Sequence, residues 1–261
     1  MSPTIAGIIT TCWITRTASG FGCEAAHTVT GRRDPTTVEA TFLFADIAGF
    51  TALTEAHGDH DAAALVGDFC RSVRAELPAS GGSEVKTIGD AVMLSIPDPA
   101  AAILLGLRIT HELMRGHGCP SVRVGLHHGP AVEREGDYFG AAVNLAARVS
   151  GEAGGGDVLL TAQTMALAPQ LEGVLYEPRG RRSLRNLREP VELFAAVRAG
   201  ESSERTLAHD PVCRMAVDPE RSAGRLTYED TAYFFCSLAC AAQFARHPER
   251  FAAPVTPSPR S

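Results

Sequence analysis

The hydrophobic pattern of the chain sharpens at Val38, and Thr41-Phe42-Leu43-Phe44-Ala45 forms a short apolar run of buried-strand type that stops abruptly at Asp46. Ala62, Leu65, Val66, Phe69 and Val73 then recur at helical spacing. Residues 84–87 and 91–96 read as two strands across a tight Gly89-Asp90 turn. A second apolar helix is expected over 100–114, then a strand at 122–127, a turn at Gly129-Pro130, a strand near 131–134 and a helix over 140–149. Short strands fit 158–161, 174–177 and 191–197. Alternating sheet and helix of this kind predicts an α+β sandwich that closes near Arg198.

The flanks read differently. Residues 1–36 keep no helical or strand period and end in Gly31-Arg32-Arg33-Asp34-Pro35, which predicts a disordered or irregular extension before a domain at 37–198. Residues 199–208 are small and polar, the composition of a linker. A second module at 209–253 is too small for a large core, so a metal or a partner surface would stabilise it. The proline-bearing stretch 254–261 is expected to be a disordered tail.

Composition narrows the function classes. With 45% apolar and 21% charged residues among 261, the chain is of ordinary globular type. Its 24 basic and 30 acidic residues leave a net charge of −6 and no basic footprint, which argues against a nucleic-acid partner. No apolar run approaches the roughly 20 residues that span a bilayer, and the Ile5 to Ile9 patch lacks a basic leader; the expectation is a cytoplasmic protein with no membrane partner. The 7 cysteines are unevenly spaced, which favours reduced thiols over a disulfide framework.

Three polar constellations interrupt the apolar pattern of the first domain. In Phe44-Ala45-Asp46-Ile47-Ala48-Gly49-Phe50-Thr51, a strand delivers a carboxylate to a Gly-containing turn that leads into a helix. Such a turn offers N–H groups to an anion while the carboxylate holds a cation, as a metal-bound polyphosphate requires; the same Asp could equally cap the helix. Val85-Lys86-Thr87-Ile88-Gly89-Asp90 brings a second carboxylate and a lysine in an apolar strand, although Gly-Asp is also ordinary turn chemistry. Gly136-Asp137-Tyr138-Phe139-Gly140 precedes a helix in which Asn144 and Arg148 are four apart on one face of an alanine-rich, closely packing stretch.

In this order and at these spacings the three motifs resemble the catalytic domain of the class III nucleotidyl cyclases, the adenylyl and guanylyl cyclase family. The resemblance implies a ferredoxin-like βαββαβ cyclase sandwich. It also implies that Asp46 and Asp90, assisted by the backbone carbonyl of Ile47, bind two Mg²⁺ or Mn²⁺ ions per active site. Lys86 and Asp137 match the pair that reads the purine, Asn144 the residue that orients the ribose, and Arg148 the cation at the reacting phosphate. Where the family often carries a lysine for the triphosphate, this chain reads Leu184-Arg185-Asn186-Leu187, so Arg185 keeps the charge with a different geometry. Family members work as head-to-tail pairs, and a chain with the full residue set implies a homodimer acting on ATP. Lys86 can donate to adenine N1 and Asp137 can accept from N6, whereas guanine reverses both demands. A guanylate cyclase is the nearest rival reading, and a metal-handling protein with a non-catalytic cyclase-like dimerisation domain is another. His127 and His128, at a strand end, are expected to be structural.

The tail segments His209-Asp210-Pro211-Val212-Cys213-Arg214-Met215 and Tyr233-Phe234-Phe235-Cys236-Ser237-Leu238-Ala239-Cys240 resemble a YHS domain, with Cys236 where the namesake motif has histidine. Cys236 and Cys240 are spaced i, i+4 on an expected helix, and Cys213 would arrive from a loop. Three thiolates suit Cu(I) or, with a fourth ligand such as His209, Met215 or water, Zn²⁺; three buried core cysteines are the plainer alternative. A metal held there is expected to tune the first domain.

Overall fold

The apolar run after Val38 belongs to a long strand, β1 (Thr36–Ile47), in a computed structural model that describes residues 36–113, 118–200 and 208–252. From Ala40 to Ala45 the strand is buried on both faces, which is why its sequence is continuously apolar rather than alternating. Thr36 is already in the strand; the rest of the 1–36 extension, most of the 199–208 linker and the 254–261 tail lie outside the described residues.

After β1 come α1 (Phe50–His57) and α2 (Asp59–Ser80), separated by Gly58, whose φ of 85° breaks the helix. A hairpin follows, β2 (Ser83–Ile88) and β3 (Ala91–Ile96). Next is α3 (Pro99–Arg108), started by Asp98, whose carboxylate accepts the N–H groups of Ala100 at 3.0 Å and Ala101 at 3.4 Å. A π-helical turn over Ile109–Leu113 continues it. The chain proceeds through β4 (Val122–Arg134), β5 (Asp137–Phe139), α4 (Ala141–Glu152), β6 (Val158–Thr161), α5 (Ala162–Leu167), β7 (Val174–Arg182) and β8 (Val191–Arg198).

Among the described residues these 8 strands form one mixed sheet in the order β2-β3-β1-β4-β6-β8-β7, with β5 paired to β4. β1 runs antiparallel to both β3 and β4, and only β4 and β6 pair in parallel. The βαββαβ unit expected of the sandwich is therefore present as β1 to β4, with β1 and β3 at its centre. On one face Leu43, Ala45 and Ile47 join α2 and α3 in a core with Phe69, Val73, Ile103 and Leu107. On the other face Phe42, Phe44 and Met93 pack with Ala142 and Ala146 of α4. Gly125 lets α4 lie directly on β4, because a Cβ there would overlap the Ser150 backbone.

The expected turn at Gly129-Pro130 is not formed. β4 runs straight through it, with Gly129 opposite Ala40 and Pro130 opposite Glu39. Pro130 falls between the stretches of β4 that pair with β6 and β5, where one side of the strand has no strand partner and a missing N–H is tolerated.

The tail module contains β9 (Ala208–His209), β10 (Ala216–Val217), the hairpin β11 (Gly224–Tyr228) and β12 (Thr231–Phe235), then α6 (Leu238–Arg246) and α7 (Pro248–Phe251). Its core is not its own. Val212, Cys213, Met215, Phe235, Cys240 and Phe244 form one cluster with Leu53 of α1 and Ala62 of α2. Backbone bonds from Gly118 N–H to the Ala216 carbonyl and from Ala216 N–H to the Cys119 carbonyl, both 3.0 Å, stitch the module to the segment before β4. No helix among the described residues is long and apolar enough to cross a membrane.

His127, 6% exposed, meets Thr161 Oγ1 through Nδ1 at 2.8 Å, and His128 meets Thr41 Oγ1 at 3.0 Å. Burial, with His128 as a second cause, pushes the pKa of His127 down to about 4. Between that value and the ordinary 6.5 the unfolded chain binds more protons than the folded one, so stability present above the window is lost as pH falls through it. We expect His127 to account for a loss of about 2–3 kcal/mol between pH 7 and pH 4.5 in denaturant unfolding. His127→Gln should flatten that dependence; an unchanged slope would disprove the assignment.

Candidate nucleotide and metal sites

Asp46 sits at the end of β1, opposite Ala91 of β3 on one side and Arg123 of β4 on the other. The β2–β3 turn supplies Asp90 immediately before Ala91, so strand pairing alone brings the two carboxylates together. Burial first, and then the neighbouring Asp46 carboxylate, raise the Asp90 pKa to about 6. Two crowded carboxylates, with the chain turning sharply after Ile47 where Ala48 N–H donates to the Ser121 carbonyl at 2.8 Å, form an all-oxygen donor set that suits a hard divalent cation. Sequence reasoning missed the third member. Arg123 donates from Nε to Asp46 Oδ2 at 2.8 Å and also through Nη2, so both of its bonds fall on one carboxylate oxygen. In sequence it is an ordinary polar position of an alternating strand, and only the cross-strand register reveals it.

Lys86 and Asp137, on β2 and β5, form an ion pair with Nζ 2.6 and 2.8 Å from the two carboxylate oxygens. The hydrogen bond from Lys86 holds the Asp137 carboxyl below its usual range. The pair is partly exposed, with side-chain accessibilities of 41% and 32%, so a ligand can reach both groups. On α4, Asn144 is exposed and Arg148 lies one turn on, its Nη1 donating to the Asn144 carbonyl at 3.2 Å. Arg148 Nε donates to the backbone carbonyl of Arg185, which brings Arg185 to the same helix. The structure thus gathers the candidate residues into three groups: Asp46 with Asp90, Lys86 with Asp137, and Asn144 with Arg148 and Arg185.

In the tail, Cys213 Sγ lies 3.4 Å from Cys236 Sγ, and Cys236 Sγ lies 3.8 Å from Cys240 Sγ. Cys236 and Cys240 do not share a helix as their i, i+4 spacing suggests. Cys236 follows the end of β12, and Cys240 occupies the first turn of α6, whose N-cap Ser237 accepts its N–H at 3.2 Å. Hydrogen bonding within the cluster raises the Cys213 pKa and lowers that of Cys240, so one thiol gives up its proton readily at the expense of another. The fully buried Asp210 organises the loop: Oδ1 accepts from Val212 N–H at 2.9 Å and Cys213 N–H at 3.4 Å, and Oδ2 from Cys236 N–H at 2.8 Å. Of the suggested fourth ligands, His209 turns to Ser121 Oγ at 2.8 Å and Met215 is packed in the shared core.

The sheet, its carboxylate pair and its helix-borne arginine define a class III nucleotide cyclase fold followed by a small cysteine-bearing module. The chain belongs to the adenylate and guanylate cyclase catalytic-domain family, which it matches over residues 34–196, and residues 208–255 match the YHS domain. It is 36% identical over 174 residues to a pH-sensitive adenylate cyclase of Mycobacterium tuberculosis, covering 66% of this chain and 44% of that protein. It is also 36% identical over 107 residues to an adenylate cyclase of Streptomyces coelicolor, covering 41% of this chain and 28% of the relative. The chain therefore spans less than half the length of these curated relatives. Its fold resembles the adenylyl cyclase CyaB from P. aeruginosa with a TM-score of 0.57 at 22% identity, covering 65% of this chain and 98% of the other. An adenylate cyclase from Trypanosoma brucei, solved in its monomeric state, gives a TM-score of 0.55 at 26% identity, covering 60% and 89%.

The buried Asp210 carboxylate offers a direct test of how the tail is held. Asp210→Asn keeps the shape but replaces one acceptor oxygen with a donor, so either the Val212 and Cys213 N–H groups or the Cys236 N–H loses its partner. We expect a loss of about 1–3 kcal/mol in the local stability of the tail. Amide exchange should accelerate at these positions with β1 and β4 unaffected, and unchanged exchange would count against the role of Asp210.

Proposed function

We propose that the protein is an adenylate cyclase that converts ATP to cyclic AMP and pyrophosphate in a head-to-tail homodimer. In this reading residues 37–198 are the catalytic domain and 209–253 a metal-binding tail joined through 199–208. The observation that carries it is the Lys86–Asp137 pair, a donor and an acceptor in mutual contact and open to solvent. Adenine offers N1 as acceptor and N6 as donor and satisfies both groups; guanine, with N1–H and O6, leaves both opposed. The adenylate cyclases among its relatives support the same choice.

The roles of the chain's own groups follow from their chemistry. Asn144, exposed on the first turns of α4, hydrogen-bonds the ribose and aims its 3′-oxygen at the α-phosphorus. As that O–P bond forms, the 3′-hydroxyl releases its proton to solvent, the bond to the bridging oxygen of the β-phosphate breaks and pyrophosphate leaves. Arg148 meets the charge that grows on the phosphate oxygens, with Arg185 adding a second cation nearby. Two Mg²⁺ or Mn²⁺ ions held by Asp46, Asp90 and the Ile47 carbonyl would sharpen the 3′-oxygen as nucleophile and neutralise the triphosphate. Arg123, bonded to Asp46 Oδ2, would hold that carboxylate in place for the cation. Asp46 and Asp90 come from one protomer, and Lys86, Asp137, Asn144 and Arg148 from its partner.

Purified protein with ATP and Mn²⁺ should release cyclic AMP, and Asp46→Ala and Asn144→Ala should each reduce turnover by at least about 100-fold as homodimers. Mixed under conditions of subunit exchange, the two dead variants should regain activity, because one of the two composite sites is then intact. A mixture that exchanges subunits yet stays inactive would place each site within one chain.

Lys86→Glu combined with Asp137→Cys exchanges donor for acceptor demands and should lower the ATP to GTP preference by at least about 10-fold. An unaltered ratio would remove the pair from base recognition, and a wild type that prefers GTP would make the enzyme a guanylate cyclase.

A further inference from the structure

The three tail cysteines have a fourth neighbour that belongs to the other module. His57, the last residue of α1, points Nε2 at 3.7 Å from Cys236 Sγ and 3.8 Å from Cys240 Sγ. One ligand atom from each of His57, Cys213, Cys236 and Cys240 lies within 4.8 Å of every other. A tetrahedral zinc ion with sulfur at about 2.3 Å and nitrogen at about 2.0 Å requires S···S edges of about 3.8 Å and S···N edges of about 3.5 Å. Four of the six separations, 3.4, 3.7, 3.8 and 3.8 Å, are close to those edges, and the remaining two, from Cys213 to Cys240 and to His57, are within 4.8 Å. Three sulfurs and one imidazole make a closed four-ligand set, which suits Zn²⁺ better than the lower coordination favoured by Cu(I). Asp210 already pins the Cys213 and Cys236 backbones, and the Ser237 cap fixes Cys240, so the ligands are held by the groups behind them.

We propose that His57, Cys213, Cys236 and Cys240 bind one Zn²⁺ in a site shared between the two modules, and that the ion clamps the tail onto α1 beside the Asp46–Gly49 turn. Two short routes join this site to that turn. The first is α1 itself, 8 residues or about 12 Å of helix between Gly49 and the His57 ligand. The second is Arg214, adjacent to the ligand Cys213, whose side chain lies so close to Gly49 that a Cβ there would come within 2.9 Å of its Cγ. His209 and Arg214 of the tail, with Ala48, Gly49 and Ser121, line a cavity of about 360 Å³ at the same turn. Loss of zinc frees both supports of the turn that carries Asp46. The clamp is independent of the cyclase reading; its effect on turnover rests on that reading.

The full chain, purified under reducing conditions, should hold one zinc per chain by elemental analysis, and Cys213→Ser with Cys236→Ser and Cys240→Ser should hold none. Because a triple variant can unfold the tail, His57→Ala supplies the decisive comparison. It should surrender zinc to a competing chelator at least about 10-fold more readily than wild type. It should also shift the ligand-field bands of the Co²⁺-substituted protein, while His209→Ala leaves them in place. His57→Ala matching wild type in both measurements, a wild type that binds neither metal, or a Cys213–Cys236 disulfide in its place would overturn the proposal. Asp46→Ala should retain zinc in full, so a failed cyclase assay and a failed metal site are told apart. Where wild type turns over ATP, His57→Ala should lower the rate by at least about 5-fold, the lower end of ordinary coupling between sites; an equal rate would overturn the coupling to the turn.

Discussion

Everything in the catalytic half depends on β1 being paired on both edges and covered on both faces. Antiparallel pairing with β4 runs from Thr36 opposite Glu133 to Ile47 opposite Val122, and β3 lines the other edge from Thr41 to Asp46. Alternate side chains are committed to two separate cores, one beneath α2 and α3 and one beneath α4. Asp46 is the first polar side chain after that buried stretch, so its position is set by packing spread over the whole strand rather than by a flexible loop. The same arrangement seats α4 on β4 at Gly125, and α4 carries Asn144 and Arg148. One strand thus spaces the carboxylates and Arg148 on a common rigid support.

The tail solves the small-module problem by borrowing surface. Phe235 and Phe244 are fully buried, yet the cluster they anchor reaches Leu53 and Ala62 of the catalytic half. Apolar contacts, backbone bonds at Cys119 and Ala216, and the His57 imidazole all converge on the same junction. The Asp46–Gly49 turn is therefore packed from outside by residues of the tail.

Much of this was legible in the chain. Carboxylates at strand ends and turns, a lysine within an apolar strand and a polar pair on a small-residue helix are departures from local pattern, and such departures can be seen one segment at a time. Arg123 and His57 break no local rule: one alternates normally along a strand, and the other ends a short helix. Their importance arises from partners far away in sequence, 77 residues for the Arg123–Asp46 pair and 179 for His57 and Cys236, which no spacing encodes. Gly129-Pro130 shows the opposite error, a strong local turn signal overruled by pairing with β1. At Cys236 the i, i+4 spacing misled, although Ser237 ahead of an apolar run is itself a helix-start signal.

The Asp46–Arg123 bond also bears on how the sheet finds its alignment. Side chains in a strand alternate, so a slip of one residue between β1 and its neighbours would turn Phe42, Phe44 and Asp46 to the opposite face. Asp46 would then enter the apolar layer of Val92 and Val124, facing away from the arginine that satisfies it. A charge buried without its partner is strongly unfavourable, so each misaligned sheet carries its own penalty and only the native pairing is free of it. The carboxylate at the end of β1 thereby doubles as a proofreading mark for the fold, and a chain that pairs its strands in register also brings Asp46 to Asp90 and Arg123.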